Sequence, residues 1–109
     1  MRRSIISRIM NRFNIIQEKI MGVDFASIIP VVDLGYDNKK VHHGSSSRGR
    51  ELFHAFSLLD VKESDRLLDI GCGKGGALYT LNKLPFSKVD GIEISSDLSK
   101  IAISNIKQL

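Results

Sequence analysis

Apolar side chains recur at helical spacing near the start of the chain. Ile5, Ile9, Phe13, Ile16 and Ile20 follow one another at intervals of three and four, and Ile6, Met10 and Met21 widen the same stripe. That period predicts an amphipathic helix over residues 3–21, with Gly22 as its C-terminal stop. Residues 23–44 lose the period. Pro30, Gly35, Asn38 and Gly44 interrupt any long element, so this stretch reads as irregular, with a short extended piece from Ile28 to Val32. A second helical pattern covers residues 47–59. Ser47 offers its hydroxyl as the N-cap, and Leu52, Phe53, Phe56 and Leu59 form an apolar face, of which Leu52, Phe56 and Leu59 are expected to pack on the segment from residue 66 onward.

At residue 66 the pattern changes. Arg66 to Ile70 reads as a short strand, and Gly71 to Gly76 as a glycine-rich turn. Ala77 to Leu84 reads as a helix halted by Pro85, and Lys88 to Glu93 as a second strand. Ser96 is placed to cap a last helix whose apolar face is Leu98, Ile101, Ala102, Ile106 and Leu109. Strand, helix, strand, helix in that order predicts a parallel pair joined by a crossover helix. The chain thus divides into a basic amphipathic helix (1–22), an irregular connection (23–46) and an α/β unit (47–109).

Length and composition narrow the picture. The 109 residues hold one small domain, and an apolar share of 42% is ordinary for a globular core. No run of 18 apolar residues predicts a membrane span. Cys72 is the only cysteine, which excludes an internal disulfide and fits a reducing, cytoplasmic setting. The net charge of +4 is placed unevenly. Arg2, Arg3, Arg8, Arg12 and Lys19 stand against Glu18 alone in residues 1–21, and the remaining acids and bases balance. The body of the chain therefore carries no charge signal for nucleic acid. The basic helix is expected to lay its stripe on the protein's own core; a partner or an anionic membrane is the alternative.

Two positions carry the chemistry. Gly71, Gly73, Gly75 and Gly76 crowd the turn after the first strand, where glycine permits positive φ and lets a ligand touch the backbone. In an open parallel sheet, ligands bind beyond the carboxyl ends of the strands. The second strand ends there too, at Glu93, near the ~20-residue spacing of an acid that grips a ribose. The glycines also satisfy the G-x-G-x-x-G dinucleotide pattern, a weak signal alone. Asp69 tips the choice. A carboxylate at the strand tip repels a pyrophosphate but favours the sulfonium and ammonium of S-adenosylmethionine. Cys72 sits where small residues serve and has no base signalled beside it, so it contributes backbone and not a nucleophile. His42 and His43 are adjacent, which suits no metal, and no metal site is expected.

The run Leu67-Leu68-Asp69-Ile70-Gly71-Cys72-Gly73-Lys74-Gly75 resembles motif I of the class I, Rossmann-like methyltransferases. Val89-Asp90-Gly91-Ile92-Glu93-Ile94-Ser95 resembles the motif next along the chain in that family. The likeness covers about residues 45–109. It implies a Rossmann-like parallel sheet of which the chain supplies the first two strands, preceded by N-terminal helices. It implies S-adenosyl-L-methionine as cofactor, with Asp69 by its methionine end and Gly71, Cys72 and Gly73 passing beneath it. Glu93 would hold the ribose and Ile94 would pack on the adenine. The helix before motif I, preceded by His42 to Arg50, would border the cofactor, which leaves the role of Arg48 open. The family's later strands, with its substrate and catalytic groups, are not in this sequence, so the expectation is a partial methyltransferase of unassigned acceptor. Two other readings stay open: a non-catalytic cofactor-binding remnant or interaction module, and a fragment of a nicotinamide-dependent oxidoreductase.

Overall fold

The computed structural model describes residues 4–27, 29–35 and 49–109. Along them run helix α1 (Ile5–Met21), a 3-10 turn (Val31–Leu34), helix α2 (Arg50–Ser57), strand β1 (Arg66–Ile70), helix α3 (Gly76–Leu81), strand β2 (Lys88–Ile92) and helix α4 (Ser96–Ile106). The result is a mixed α/β arrangement around a small parallel sheet. β1 pairs with β2 in parallel, Arg66 opposite Lys88 through to Ile70 opposite Ile92, and α3 forms the crossover such a pair requires. The two strands and their order agree with the alternation in the sequence, β2 ending one residue early.

Alternation along β1 sorts its side chains. Leu67 and Asp69 turn toward the helices, while Leu68 and Ile70 point to the other, exposed face, which Ile92 shares. The core lies on the helical side, built from Val23, Phe25, Ala77, Leu78, Leu81 and Ala102. The Phe25 ring meets Tyr79 edge to face, with centroids 5.1 Å apart. Gly91 is fixed by packing. A Cβ there would lie 2.6 Å from Leu78 Cδ1 and 2.7 Å from Cys72 Sγ.

Several expectations shift, each for a local reason. The last helix is capped by Ser95 instead of Ser96: Ser95 Oγ accepts from Leu98 N–H. Two adjacent serines have the same capping chemistry, and the choice falls to Ser95 because its own N–H donates to Glu93 Oε1. α3 ends at Leu81 with Asn82 as its C-cap, short of the expected Leu84. The residue before Pro85 is steered out of the helical region, and Leu84 N–H turns back to the Leu81 carbonyl. α2 starts at Arg50 after Gly49, whose N–H donates to Thr80 Oγ1. Ser47, the expected cap, lies outside the described residues. Leu52 and Phe56 are half-buried beside α3, but Leu59 falls past the helix end and is exposed. The extended piece expected up to Val32 is also corrected. The Pro30 carbonyl accepts from Asp33 and Leu34 N–H, closing Val31–Leu34 into a 3-10 turn; Ile28 lies outside the described residues.

The largest correction concerns α1. Its C-terminal end is as expected, closed by Gly22 at φ 74°, while its start falls at Ile5 instead of residue 3, where Ser4 Oγ accepts from Ser7 N–H. Its apolar stripe, however, does not cover the core. Ile9, Phe13, Ile16 and Ile20 are 60–83% exposed. The helix turns inward with Asn11, Asn14, Ile15 and Glu18 instead. Glu18 decides the orientation. It is 4% exposed, and its Oε2 accepts from Phe25 N–H at 2.9 Å and Ala26 N–H at 2.8 Å. Two charge-assisted hydrogen bonds away from water anchor that face to the adjoining segment.

Candidate cofactor site

The turn between β1 and α3 is built by three left-handed glycines. Gly71, Gly73 and Gly75 have φ of 79°, 53° and 81°, where a side chain is strained whatever the space. They differ in what lies over them. A Cβ on Gly75 would come 3.3 Å from the Ala102 Cβ, so that glycine admits close packing of α4. Among the described residues, a Cβ on Gly71 or Gly73 would meet nothing within 4 Å. Backbone at these two positions therefore faces open space at the carboxyl end of β1. The turn is pinned from below: Gly71 N–H and Cys72 N–H both donate to the Ile92 carbonyl, at 2.7 and 3.0 Å.

Glu93 closes the site. Its Oε2 accepts from Gly73 N–H at 2.8 Å, and its Oε1 accepts from Ser95 N–H at 2.9 Å. One carboxylate thus ties the glycine turn to the start of α4. An ionised carboxylate has about four acceptor positions, so each oxygen keeps capacity for another donor. Asp69 is half-buried at the β1 tip, and among the described residues its carboxylate accepts no hydrogen bond. Both acids act on the residue between them. Burial, then the charges of Asp69 and Glu93, push the Cys72 thiol up, so it stays protonated at neutral pH. A thiol held in its protonated form is a poorer nucleophile. Ile94, next along the chain, is highly exposed.

The structure thus brings Asp69, Gly71, Cys72, Gly73 and Glu93 together at one end of the strand pair. His42, His43 and Arg48 lie outside the described residues. A cleft of about 320 Å³ opens between β2, α3 and α4 and shares Cys72 and Glu93 with this site. Its lining mixes apolar side chains such as Leu78, Val89, Ile103 and Ile106 with polar ones such as Asn82, Asp90 and Ser99, and it excludes Asp69, Gly71 and Gly73, so the open space over the turn lies elsewhere. Among the described residues no group of three or more His, Cys, Asp or Glu is placed to hold a metal.

A second network supports the turn through Lys74. Its Nζ donates to Asp24 Oδ1 at 2.9 Å, to the Ser27 carbonyl at 2.6 Å and to Ser27 Oγ. Asn105 of α4 is fully buried. Its Oδ1 accepts from Asp24 N–H, and its Nδ2 donates to the carbonyls of Asp24 and Lys74. Burial raises the Asp24 carboxyl, but hydrogen bonds from Ser27 and Lys74 and the Lys74 charge outweigh it, leaving Asp24 below its ordinary value. No sequence pattern singles out Lys74, Asp24 or Asn105. Asp24-x-x-Ser27 is a local turn signal, but nothing in it points to a partner 50 or 81 residues away.

Comparison with known protein families, with curated proteins and with solved structures gives no significant match.

Proposed function

We propose that this chain forms the S-adenosyl-L-methionine half-site of a Rossmann-like methyltransferase. The observation that carries the reading is the pairing of an open glycine turn with two acids at the same strand tips. Gly71 and Gly73 leave room for a ligand to lie on the backbone. Asp69 and Glu93 make that room electronegative. A cationic ligand gains from Asp69 beside the turn, whereas a pyrophosphate there meets repulsion from it; Glu93 suits a ribose in either case.

The residues fit the cofactor as follows. Asp69, whose carboxylate accepts no hydrogen bond among the described residues, would face the ammonium or sulfonium end. Glu93, whose oxygens retain acceptor capacity, would take the ribose hydroxyls while still holding Gly73 and Ser95. Ile94 would offer an apolar surface to the adenine, and Cys72 would contribute backbone. The bound group supplies an electrophilic methyl that passes to a nucleophile in one displacement; the protein's share is positioning and charge complementarity.

Isothermal titration of the chain with S-adenosylmethionine and, separately, with a nicotinamide dinucleotide tests it. Saturable binding of the first and none of the second is expected. Tighter binding of the dinucleotide would instead support the oxidoreductase reading. Asp69→Asn sharpens the test, because it removes charge at nearly constant shape. About tenfold weaker S-adenosylmethionine binding with unchanged folding is the expected result.

A further inference from the structure

We infer that α1 is an interfacial helix that docks the protein on an anionic lipid surface. Its exposed stripe includes Ile9, Phe13, Ile16 and Ile20, with Phe13 63% and Ile20 83% exposed. Such a stripe on a helix of 17 residues calls for an apolar environment, since monomeric soluble surfaces seldom carry contiguous patches of this kind. Among the described residues no helix is long and apolar enough to cross a membrane, so α1 does not span one.

Charge selects the occupant. Every exposed charged side chain on α1 is a cation: Arg8, Arg12 and Lys19. At 3.6 residues per turn these three fall along one flank, between the exposed stripe and the inward face. The helix's single acid, Glu18, is buried on the inward face and bound to backbone N–H groups, so the exposed surface of the helix is cationic. Arg2 and Arg3 add two positive charges just ahead in sequence, while residues 22–109 balance. A helix lying in the plane of a bilayer sinks its apolar face among the acyl chains, and flanking Arg and Lys reach the anionic headgroups. A second copy of α1 fits less well, since it would bring more cations against these with no acid to pair. The mounting also suits docking. Glu18 and the Gly22 cap fix α1 by its polar face, leaving the apolar face outward.

Co-sedimentation of the full chain with vesicles tests this, using phosphatidylcholine alone and an equal mixture with phosphatidylglycerol. Binding to the mixed vesicles at least about tenfold tighter than to the neutral ones is expected. It should weaken as salt rises to about 1 M, where screening acts within about 3 Å. Ile9→Glu/Phe13→Glu alters only exposed positions and should abolish binding. Arg8→Glu/Arg12→Glu should weaken it at least about tenfold on mixed vesicles and leave neutral vesicles unaffected. Equal binding to both vesicle types, or full binding by the Ile9→Glu/Phe13→Glu variant, would overturn the inference. So would a concentration-dependent dimer in sedimentation velocity, dispersed by that variant, without vesicle binding; the face would then belong to a second copy.

Discussion

α1 and α4 begin alike and end in opposite situations. Each is an amphipathic helix opened by a serine whose Oγ accepts from the N–H three residues on, Ser4 from Ser7 and Ser95 from Leu98. α4 turns its mixed face inward. Ala102 packs on Gly75, and Asn105 holds Asp24 and the Lys74 carbonyl. α1 turns its polar face inward through Glu18 and leaves its apolar stripe outside. Apolar content therefore does not decide which face packs. What the two inward faces share is a buried polar side chain, Asn105 or Glu18, satisfied by backbone groups of residues 24–26. Each anchor satisfies backbone groups that would otherwise be buried without that partner, and each lies on the face its helix turns inward.

The difference can be tested first at α4, where the effect is largest. Asn105→Ala removes three hydrogen bonds and leaves Asp24 N–H and two carbonyls without that partner in a buried place. A loss of about 2–4 kcal/mol is expected in urea unfolding. A loss under about 0.5 kcal/mol would mean that water or side-chain rearrangement replaces the amide, and that α4 is held by Ala102 and Ile106 alone.

A smaller effect is expected at Asp24, the point at which α4 and the glycine turn meet the N-terminal segment. Its folded pKa lies below the ordinary aspartate value, so folding favours its charged form. The stability it contributes is therefore present above the unfolded value near ~3.9 and is lost as pH falls through the folded one. Asp24 is 43% exposed in its side chain, and solvent screening limits the contribution to under about 1 kcal/mol. Asp24→Asn should be less stable than the parent at pH 6, and the gap should shrink as pH falls below about 4. A gap that is flat from pH 6 to pH 3 would show that the Lys74 contact does not depend on the carboxylate's charge.

How much of this structure is legible in the sequence depends on the range of each interaction. β1 and β2, the glycine turn and the acid at Glu93 depend on alternation, φ preference and a short spacing, all written locally. The cap at Ser95 over Ser96 is also set locally, by Glu93 Oε1 two residues earlier, but that contact lies ahead of the helix and its apolar period does not mark it. The Lys74–Asp24 contact and the Asn105 clamp are not legible, since they join segments far apart in sequence that no local pattern links. The facing of α1 departs from its periodicity for a related reason. Periodicity marks a stripe, and the binding of Glu18 to Phe25 and Ala26 N–H reverses which side is covered.

The smallest expected effect is the most direct test of α1's facing. Ile9→Ser/Phe13→Ser replaces two exposed apolar side chains with a residue of similar helix propensity, so the helix itself should be little affected. If the stripe faces away from the core, neither change opens a cavity, and unfolding stability should stay within about 0.5 kcal/mol of the parent. Burial of the same side chains would give a different answer, because truncating a core phenylalanine to a small residue costs about 3–5 kcal/mol. The two outcomes are far enough apart for urea unfolding to separate them, with helical circular dichroism as a check that α1 survives. A loss above about 2 kcal/mol would show that the stripe packs on protein in solution. In that case α1 would resemble α4 after all, and the buried Glu18 would be a companion of that packing instead of its alternative.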